Sequence, residues 1–80
     1  MRLVFTVRAE DDYDNLSSKL KVRADRQLDK LAQDLHYPSL HAKKYDESQG
    51  VWQARLSRDW RVYFIIESDA YVLLSIRKHP

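Results

Sequence analysis

Residues 51–76 read VWQARLSRDWRVYFIIESDAYVLLSI and predict three β-strands joined by tight connections at residues 57–59 and 68–70. Side chains along each run alternate between two faces, which is typical of half-buried strands rich in β-branched and aromatic residues. The predicted core face comprises Trp52, Ala54, Leu56, Trp60, Val62, Phe64, Ile66, Val72, Leu74 and Ile76. The opposite face carries Arg55, Arg61 and Arg77, and we take it as the candidate working surface.

The composition sets limits on the class of protein. A length of 80 residues predicts one domain, residues 1–80. Without cysteine there is neither a disulfide framework nor a zinc–thiolate site, and we expect no metal or cofactor. No apolar run approaches the roughly 20 residues of a membrane span, and the N-terminus lacks the apolar core of a signal peptide. We therefore expect a cytoplasmic protein without a membrane segment. A net charge of +2 is too small to indicate nucleic-acid binding by itself.

The first half of the chain predicts a strand and helical structure. Residues 2–9 alternate as a strand, and Asp11 or Asp12 is a suitable helix cap. Apolar residues at helical spacing predict an amphipathic helix over residues 22–35, with Ala24, Leu28, Leu31 and Leu35 on its buried face. Residues 11–35 are compatible with one helix or with two that separate near residues 19–21.

The element order predicts an α+β fold. Pro38 ends the helical region, and residues 39–49 form a polar loop before the chain turns at Gly50. The order β-α-(α)-β-β-β corresponds to a small open antiparallel sheet with one or two helices packed on one face.

The three arginines suggest an anion-binding surface. Adjacent antiparallel strands place Arg55, Arg61 and Arg77 within several ångströms of each other. Guanidinium groups repel one another unless an anion lies between them, and a phosphate matches their planar arrangement of donors. The alternative is a solvated sheet face whose arginines pair with Glu67 and the acidic residues of the loops.

Other residues on or near this surface are candidates for contacts with nucleic acid. Lys43 and Lys44 would form a basic rim, unless they are simply solvated loop residues. Tyr63 lies on the arginine face and is a better candidate for base stacking than Trp60, which alternates onto the core face. His79 lies among cations and is suited to proton transfer, the alternative being an exposed terminal side chain. Neither His36 nor His41 has neighbours at metal-ligand spacing.

Five short motifs resemble the second half of the RelE/ParE toxin superfamily. They are PSL (38–40), KKY (43–45), VWQARL (51–56), DWRVYF (59–64) and VLLSI (72–76). The aromatic–arginine pair Trp60-Arg61, preceded by Arg55, is the most specific part. Members of this superfamily are the toxins of bacterial type II toxin–antitoxin pairs, and the resemblance implies an open antiparallel sheet with helices on one side.

The RelE-like members are ribosome-dependent endoribonucleases, which implies specific roles for several residues. They cleave mRNA by in-line attack of the 2′-hydroxyl on the adjacent phosphate. Arg61 matches the arginine that holds the scissile phosphate and stabilises its developing charge, and Arg55 matches a basic position on the preceding strand. Arg77 and Lys78 stand near the basic residues that end the last strand, and His79 would protonate the leaving 5′-oxygen. The predicted RNA-contacting residues are Lys43, Lys44, Arg58, Tyr63 and Lys78.

Two departures leave other functions open. Gln53 occupies a position that is often basic, and many RelE-like toxins carry a catalytic residue in a segment beyond the last strand, whereas this sequence ends at Pro80 and offers His79 instead. The alternatives are a non-enzymatic ParE-like inhibitor of DNA gyrase, an inactive toxin-like interaction domain, or a general RNA-binding module. The expected partners are mRNA on the ribosome and a cognate antitoxin, seated on apolar residues of the 22–35 helix that do not reach the core. A homodimer or a toxin–antitoxin hetero-oligomer is the expected assembly.

Overall fold

The computed structural model describes residues 1–80 as two helices packed against a five-stranded sheet. The elements are β1 (Arg2–Phe5), α1 (Val7–Asp14), α2 (Ser18–Gln33), β2 (Lys43–Asp46), β3 (Val51–Ser57), β4 (Trp60–Glu67) and β5 (Ala70–Lys78). The strands lie in the order β1-β5-β4-β3-β2, and the prediction of an α+β fold is confirmed. The sheet is mixed rather than wholly antiparallel, because β1 pairs with β5 in parallel. Parallel pairing requires a long crossover, which here contains both helices. Neither helix has the length and apolar character needed to cross a membrane.

The first strand is shorter than predicted because a helix cap interrupts the alternation. β1 ends at Phe5, and the hydroxyl of Thr6 accepts a hydrogen bond from the Ala9 N–H at 3.2 Å, which begins α1. The same hydroxyl donates to the Leu73 carbonyl at 2.8 Å and ties the start of α1 to β5. The predicted capping role of Asp11 or Asp12 was therefore wrong.

The chain forms two helices, and they separate earlier than residues 19–21. The Ser17 hydroxyl accepts a hydrogen bond from the Leu20 N–H at 3.2 Å, so a serine cap begins α2 without glycine or proline. Ala24, Leu28 and Leu31 are buried in the core as predicted, whereas the predicted fourth member, Leu35, lies beyond the end of α2 and is half-buried.

The predicted loop over residues 39–49 contains an edge strand. β2 (Lys43–Asp46) pairs antiparallel with β3, and short 3₁₀ turns flank it. Its sequence, KKYD, shows no apolar alternation because all but one of its residues are exposed. The predicted turn at Gly50 is confirmed by a φ of 65°, in the left-handed region that favours glycine.

A β-bulge in β5 reverses the predicted faces of part of that strand. Tyr63 pairs with Ser75, and Phe64 pairs with Leu73. Leu74 is therefore an extra residue in β5 without a partner in β4. The side chains of β5 that precede it consequently lie on the opposite faces of the sheet from those predicted. Leu73 is fully buried in the core, whereas Val72 and Leu74 are half-buried, contrary to the predicted pattern. Ile66 was also predicted to be buried, but it is 40% exposed near the end of β4.

Candidate functional site

The three arginines form a row across the sheet, as predicted. The register pairs Arg55 with Arg61 and Arg61 with Arg77, across β3, β4 and β5. A second row beside it contains Lys43, Gln53, Tyr63 and Ser75. In the alternative interpretation, Glu67 or acidic loop residues neutralise these arginines. The structure does not show such pairs, because its two salt bridges, Arg2–Asp69 and Arg8–Asp12, contain none of the three arginines.

A cavity of about 370 Å³ opens beside these rows, and we call it the arginine cavity. Its lining consists of His41, Ala42, Lys43, Gln53, Arg55, Arg61 and His79. Four residues predicted from the sequence, Lys43, Arg55, Arg61 and His79, thus meet at one place. The lining contains no carboxylate, so the cavity combines positive charge with two imidazole rings. This combination suits a phosphodiester, which requires both charge stabilisation and proton transfer during cleavage.

Arg61 is held by the hairpin that joins β3 and β4. Its Nη1 donates hydrogen bonds to the carbonyl oxygens of Ser57, Arg58 and Trp60 at 3.0, 3.2 and 3.1 Å. Arg61 is therefore only 8% exposed, whereas the sequence predicted an exposed side chain. Its Nε and Nη2 make no hydrogen bond within the protein, so these donors remain for an anion in the cavity.

The side chain of Arg55 makes fewer hydrogen bonds within the protein than that of Arg61. Its Nε is buried and has no hydrogen-bond partner in the protein. Leaving such a donor unpaired costs about 1–3 kcal/mol, so the side chain of Arg55 is held less favourably than that of Arg61. The backbone of Arg55 is fixed by Gln27 of α2, whose Nε2 donates to the Arg55 carbonyl at 2.8 Å. The helix layer thus positions this residue of the sheet.

Two histidines line the cavity, although the sequence predicted a role only for His79. His79 follows β5, and its backbone N–H donates to the Asp59 carbonyl at the β3–β4 turn. His41 ends the 3₁₀ turn Pro38–Leu40 in a left-handed conformation with a φ of 45°. No sequence pattern marks a histidine in that conformation, so the position of His41 in the cavity was not predictable from motifs. No group of three or more potential metal ligands occurs in the protein.

Arg77 and Tyr63 lie outside the arginine cavity and contact each other. The guanidinium carbon of Arg77 lies 4.2 Å from the centroid of the Tyr63 ring, and Tyr45 packs edge-on against that ring at 4.8 Å. Tyr63 is consequently 6% exposed, and the prediction that it is free to stack on a base was wrong. Tyr45 is 56% exposed and offers the more accessible ring.

The remaining basic residues are also outside the cavity. Lys44 pairs with Trp52, and its Nζ lies 5.8 Å from the Trp52 ring, so it projects from the opposite face to Lys43. Arg58 is exposed in the β3–β4 turn and lines a smaller cavity of about 240 Å³. Lys78 is exposed at the end of β5, across from Trp60.

Comparisons with known proteins agree with this architecture. The sequence model of the ParE toxins of type II toxin–antitoxin systems (parDE) matches residues 3–79. A search of curated proteins found no significant match.

Three solved structures illustrate the shared fold. The YoeB/ParE toxin from Agrobacterium tumefaciens superposes with a TM-score of 0.82 at 15% identity, over 100% of both chains. The YoeB-YefM complex from Staphylococcus aureus gives a TM-score of 0.77 at 14% identity, over 100% of this chain and 98% of the other. The archaeal RelE-RelB complex from Pyrococcus horikoshii OT3 gives 0.79 at 16% identity, over 96% and 92%. The likeness confirms the fold, and the family match, which spans nearly the whole sequence, shows that the chain belongs to the ParE toxins of type II toxin–antitoxin systems, within the RelE/ParE superfamily.

Proposed function

We propose that this toxin is a ribosome-dependent endoribonuclease that cleaves mRNA. The observation that supports the proposal is the arginine cavity, where Arg55, Arg61 and Lys43 meet His41 and His79. Cleavage by the 2′-hydroxyl of the RNA creates negative charge on the phosphate and requires two proton transfers. Fixed guanidinium donors serve the first requirement and imidazoles serve the second.

Each lining residue has a role in this mechanism. Arg61 and Arg55 bind the non-bridging oxygens of the scissile phosphate, and Lys43 neutralises a neighbouring phosphate. His41 accepts the proton of the 2′-hydroxyl as its oxygen attacks phosphorus. The bond from phosphorus to the 5′-oxygen breaks, and His79 donates a proton to that oxygen. The products are a cyclic 2′,3′-phosphate and a free 5′-hydroxyl, and no cofactor takes part.

The proposal includes a protein partner and a cellular location. The structural relatives include complexes with YefM and RelB, which supports an antitoxin as the partner of this chain as well. Val22 on α2 is 52% exposed, and it is an apolar residue of the helix on which we expect the antitoxin to dock. A toxin that acts on ribosome-bound mRNA works in the cytoplasm.

The test is primer extension on a model mRNA held by ribosomes with an empty A site. We expect wild-type protein to cleave and Arg55→Ala and His79→Ala to lose most of the cleavage. Lys43→Ala and Lys44→Ala form a matched pair, because these neighbouring lysines project from opposite faces of the sheet. Lys43→Ala should weaken cleavage, and Lys44→Ala should leave it nearly unchanged. Absence of cleavage by folded wild-type protein would refute the proposal.

Inhibition of DNA gyrase is the second candidate, because the family model that matches the chain is that of the ParE toxins. It requires no proton transfer, so His79→Ala would retain full toxicity. A supercoiling assay with purified gyrase distinguishes the two functions. Inhibition of supercoiling without cleavage of mRNA would favour the gyrase inhibitor.

A further inference from the structure

A second cavity of about 400 Å³ lies between α2 and β3. Its cationic lining comes from Arg23, Arg26 and Lys30 of α2 and from Arg55 of β3, and we call it the basic groove. The only hydrophobic residue in its lining is Leu56, and none of its lining residues is acidic. The basic groove is therefore a polar concave surface of one charge sign.

The helix presents its three cations along one side. Arg23, Arg26 and Lys30 follow each other at spacings of three and four residues, which places them on one helix face. None of them forms a salt bridge, although Lys30 donates a hydrogen bond to the Ser39 hydroxyl at 3.3 Å. Like charges at this spacing repel each other. An anion bound along the groove removes this repulsion.

The basic groove continues into the arginine cavity. His41 and Arg55 line both cavities. Arg55, whose buried Nε has no hydrogen-bond partner, is thus one of two residues common to both cavities. A polyanion in one cavity therefore has a continuous cationic path into the other.

We propose that the basic groove binds the phosphate backbone of RNA at nucleotides next to those held in the arginine cavity. The proposal rests on the proposed function in one respect only, namely that RNA is the ligand. A protein partner fits the groove less well, because the centre of a protein interface is usually apolar and aromatic, whereas this lining contains a single leucine. Contacts from arginine and lysine to phosphates carry no sequence preference, so the groove adds affinity and orientation rather than specificity.

The test compares two double variants with equal changes in charge. Arg23→Gln/Arg26→Gln removes two cations from the groove, and glutamine preserves helix propensity. Arg2→Gln/Arg8→Gln removes two exposed cations that line neither cavity. The probe is a single-stranded 2′-O-methyl RNA oligonucleotide, which lacks the attacking hydroxyl, and Kd is measured by fluorescence anisotropy over a series of KCl concentrations. In a second arm, the same variants are sedimented with ribosomes.

We expect the groove variant to bind less tightly and to show a weaker dependence of Kd on salt. Each phosphate contact with single-stranded RNA contributes about 0.7 to the slope of log Kd against log salt, so the loss of two contacts lowers the slope by about 1.4. The control variant should keep the wild-type slope. A loss with the oligonucleotide assigns the groove to the message strand, and a loss with ribosomes alone assigns it to ribosomal RNA.

Three results would overturn the inference. Equal losses in both variants would show a general effect of net charge, and unchanged binding in both arms would show that the groove does not bind RNA. Unchanged RNA binding together with weaker antitoxin binding would assign the groove to the protein partner. The oligonucleotide cannot be cleaved, so its binding does not depend on nuclease activity. If the groove binds the oligonucleotide but the protein never cleaves mRNA, the proposed nuclease function is refuted and the RNA-binding groove is retained.

Discussion

Arg61 and Arg77 are direct cross-strand partners, yet their guanidinium groups make different contacts. Arg61 donates through Nη1 to three carbonyl oxygens of the β3–β4 hairpin, whereas Arg77 lies over the ring of Tyr63. The two like charges on neighbouring strands thus have different partners. Only Arg61 lines the arginine cavity, and it contributes both to the hairpin and to the candidate site.

Arg61→Ala should therefore reduce stability as well as activity. The substitution leaves carbonyl groups of the hairpin without their donor, and we expect a loss of about 1–3 kcal/mol in the free energy of unfolding. Arg77→Ala removes an exposed cation–π contact and should cost less than about 1 kcal/mol. Urea unfolding of both variants checks the difference. Equal stabilities for Arg61→Ala and wild type would contradict the structural role.

Leu73→Ala and Leu74→Ala test the bulge in β5 with identical chemistry at adjacent positions. Leu73 is fully buried, so its truncation should lower the free energy of unfolding by about 2–5 kcal/mol. Leu74 is only half-buried, and its truncation should cost clearly less. Without the bulge, regular alternation would bury Leu74 rather than Leu73, and Leu74→Ala would then cost more. The midpoints of denaturation of the two variants therefore distinguish a β5 with the bulge from a β5 without it.

Asp12 connects α1 to the last strand, and its removal should destabilise the protein. The Ile76 N–H donates to its Oδ2 at 2.9 Å in a partly buried position. Asp12→Ala leaves this donor unpaired and should cost about 1–3 kcal/mol, whereas Asp12→Asn keeps an acceptor and should cost less. Asp11, which is exposed, provides the control. Similar thermal midpoints for Asp11→Ala and Asp12→Ala would show that the contact to β5 is unimportant.

His41→Gly should separate stability from activity. A residue with side chain in the left-handed region is strained, and glycine relieves that strain at the expense of its own conformational entropy. We expect the free energy of unfolding to stay the same or to rise by up to about 1 kcal/mol. Cleavage in the ribosome assay should nevertheless fall, because the imidazole is lost. Full activity in the variant would exclude His41 as the base.

Tyr13→Phe should alter stability at alkaline pH. The hydrogen bond that Tyr13 donates to Asp25 at 2.6 Å, followed by burial, raises the pKa of Tyr13 above 10.0. The unfolded chain therefore loses this proton first, so the contribution is complete below about pH 10 and disappears as the pH rises through the folded pKa. The pKa of Tyr71 is raised by burial and then by Asp34, and this contribution remains in the variant.

Melting temperatures measured from about pH 8 to pH 12 check this prediction. Tyr13→Phe should be less stable than wild type near neutral pH by about 1 kcal/mol or less, the usual contribution of one hydrogen bond. The difference should shrink as the pH rises. A constant difference over the whole range would show that the tyrosine proton is not linked to folding.

The row of arginines was predictable because alternation assigns Arg55, Arg61 and Arg77 to the same face of three successive strands. Two-residue turns join β3 to β4 and β4 to β5. Counted without irregularity from these turns, Arg61 would pair with Leu56 and Ile76. The register shifts between Arg55 and Ser57 and at Leu74 therefore bring Arg55, Arg61 and Arg77 into one row. The same periodicity failed beyond Phe64, because one extra residue in a bulge leaves no mark in the composition of the strand.

The environment of each arginine was not predictable from alternation. Arg61 was predicted to be exposed, but the carbonyl groups that bury it belong to a turn whose backbone geometry the sequence pattern does not specify. His41 was missed for a similar reason, since its place in the cavity depends on a left-handed backbone conformation. The strand β2 escaped prediction because a polar edge strand has no buried face to produce a pattern.

The pairing of β1 with β5 has a consequence for the synthesis of the protein. Phe5 pairs with Leu73, and the Thr6 hydroxyl donates to the same residue, so the first strand has no partner until almost the entire chain has been made. Contacts so distant in sequence also form slowly. The last strand closes the row of arginines as well, through Arg77, and is followed directly by His79. The candidate site therefore forms only after β5 and the residue that follows it have been synthesised.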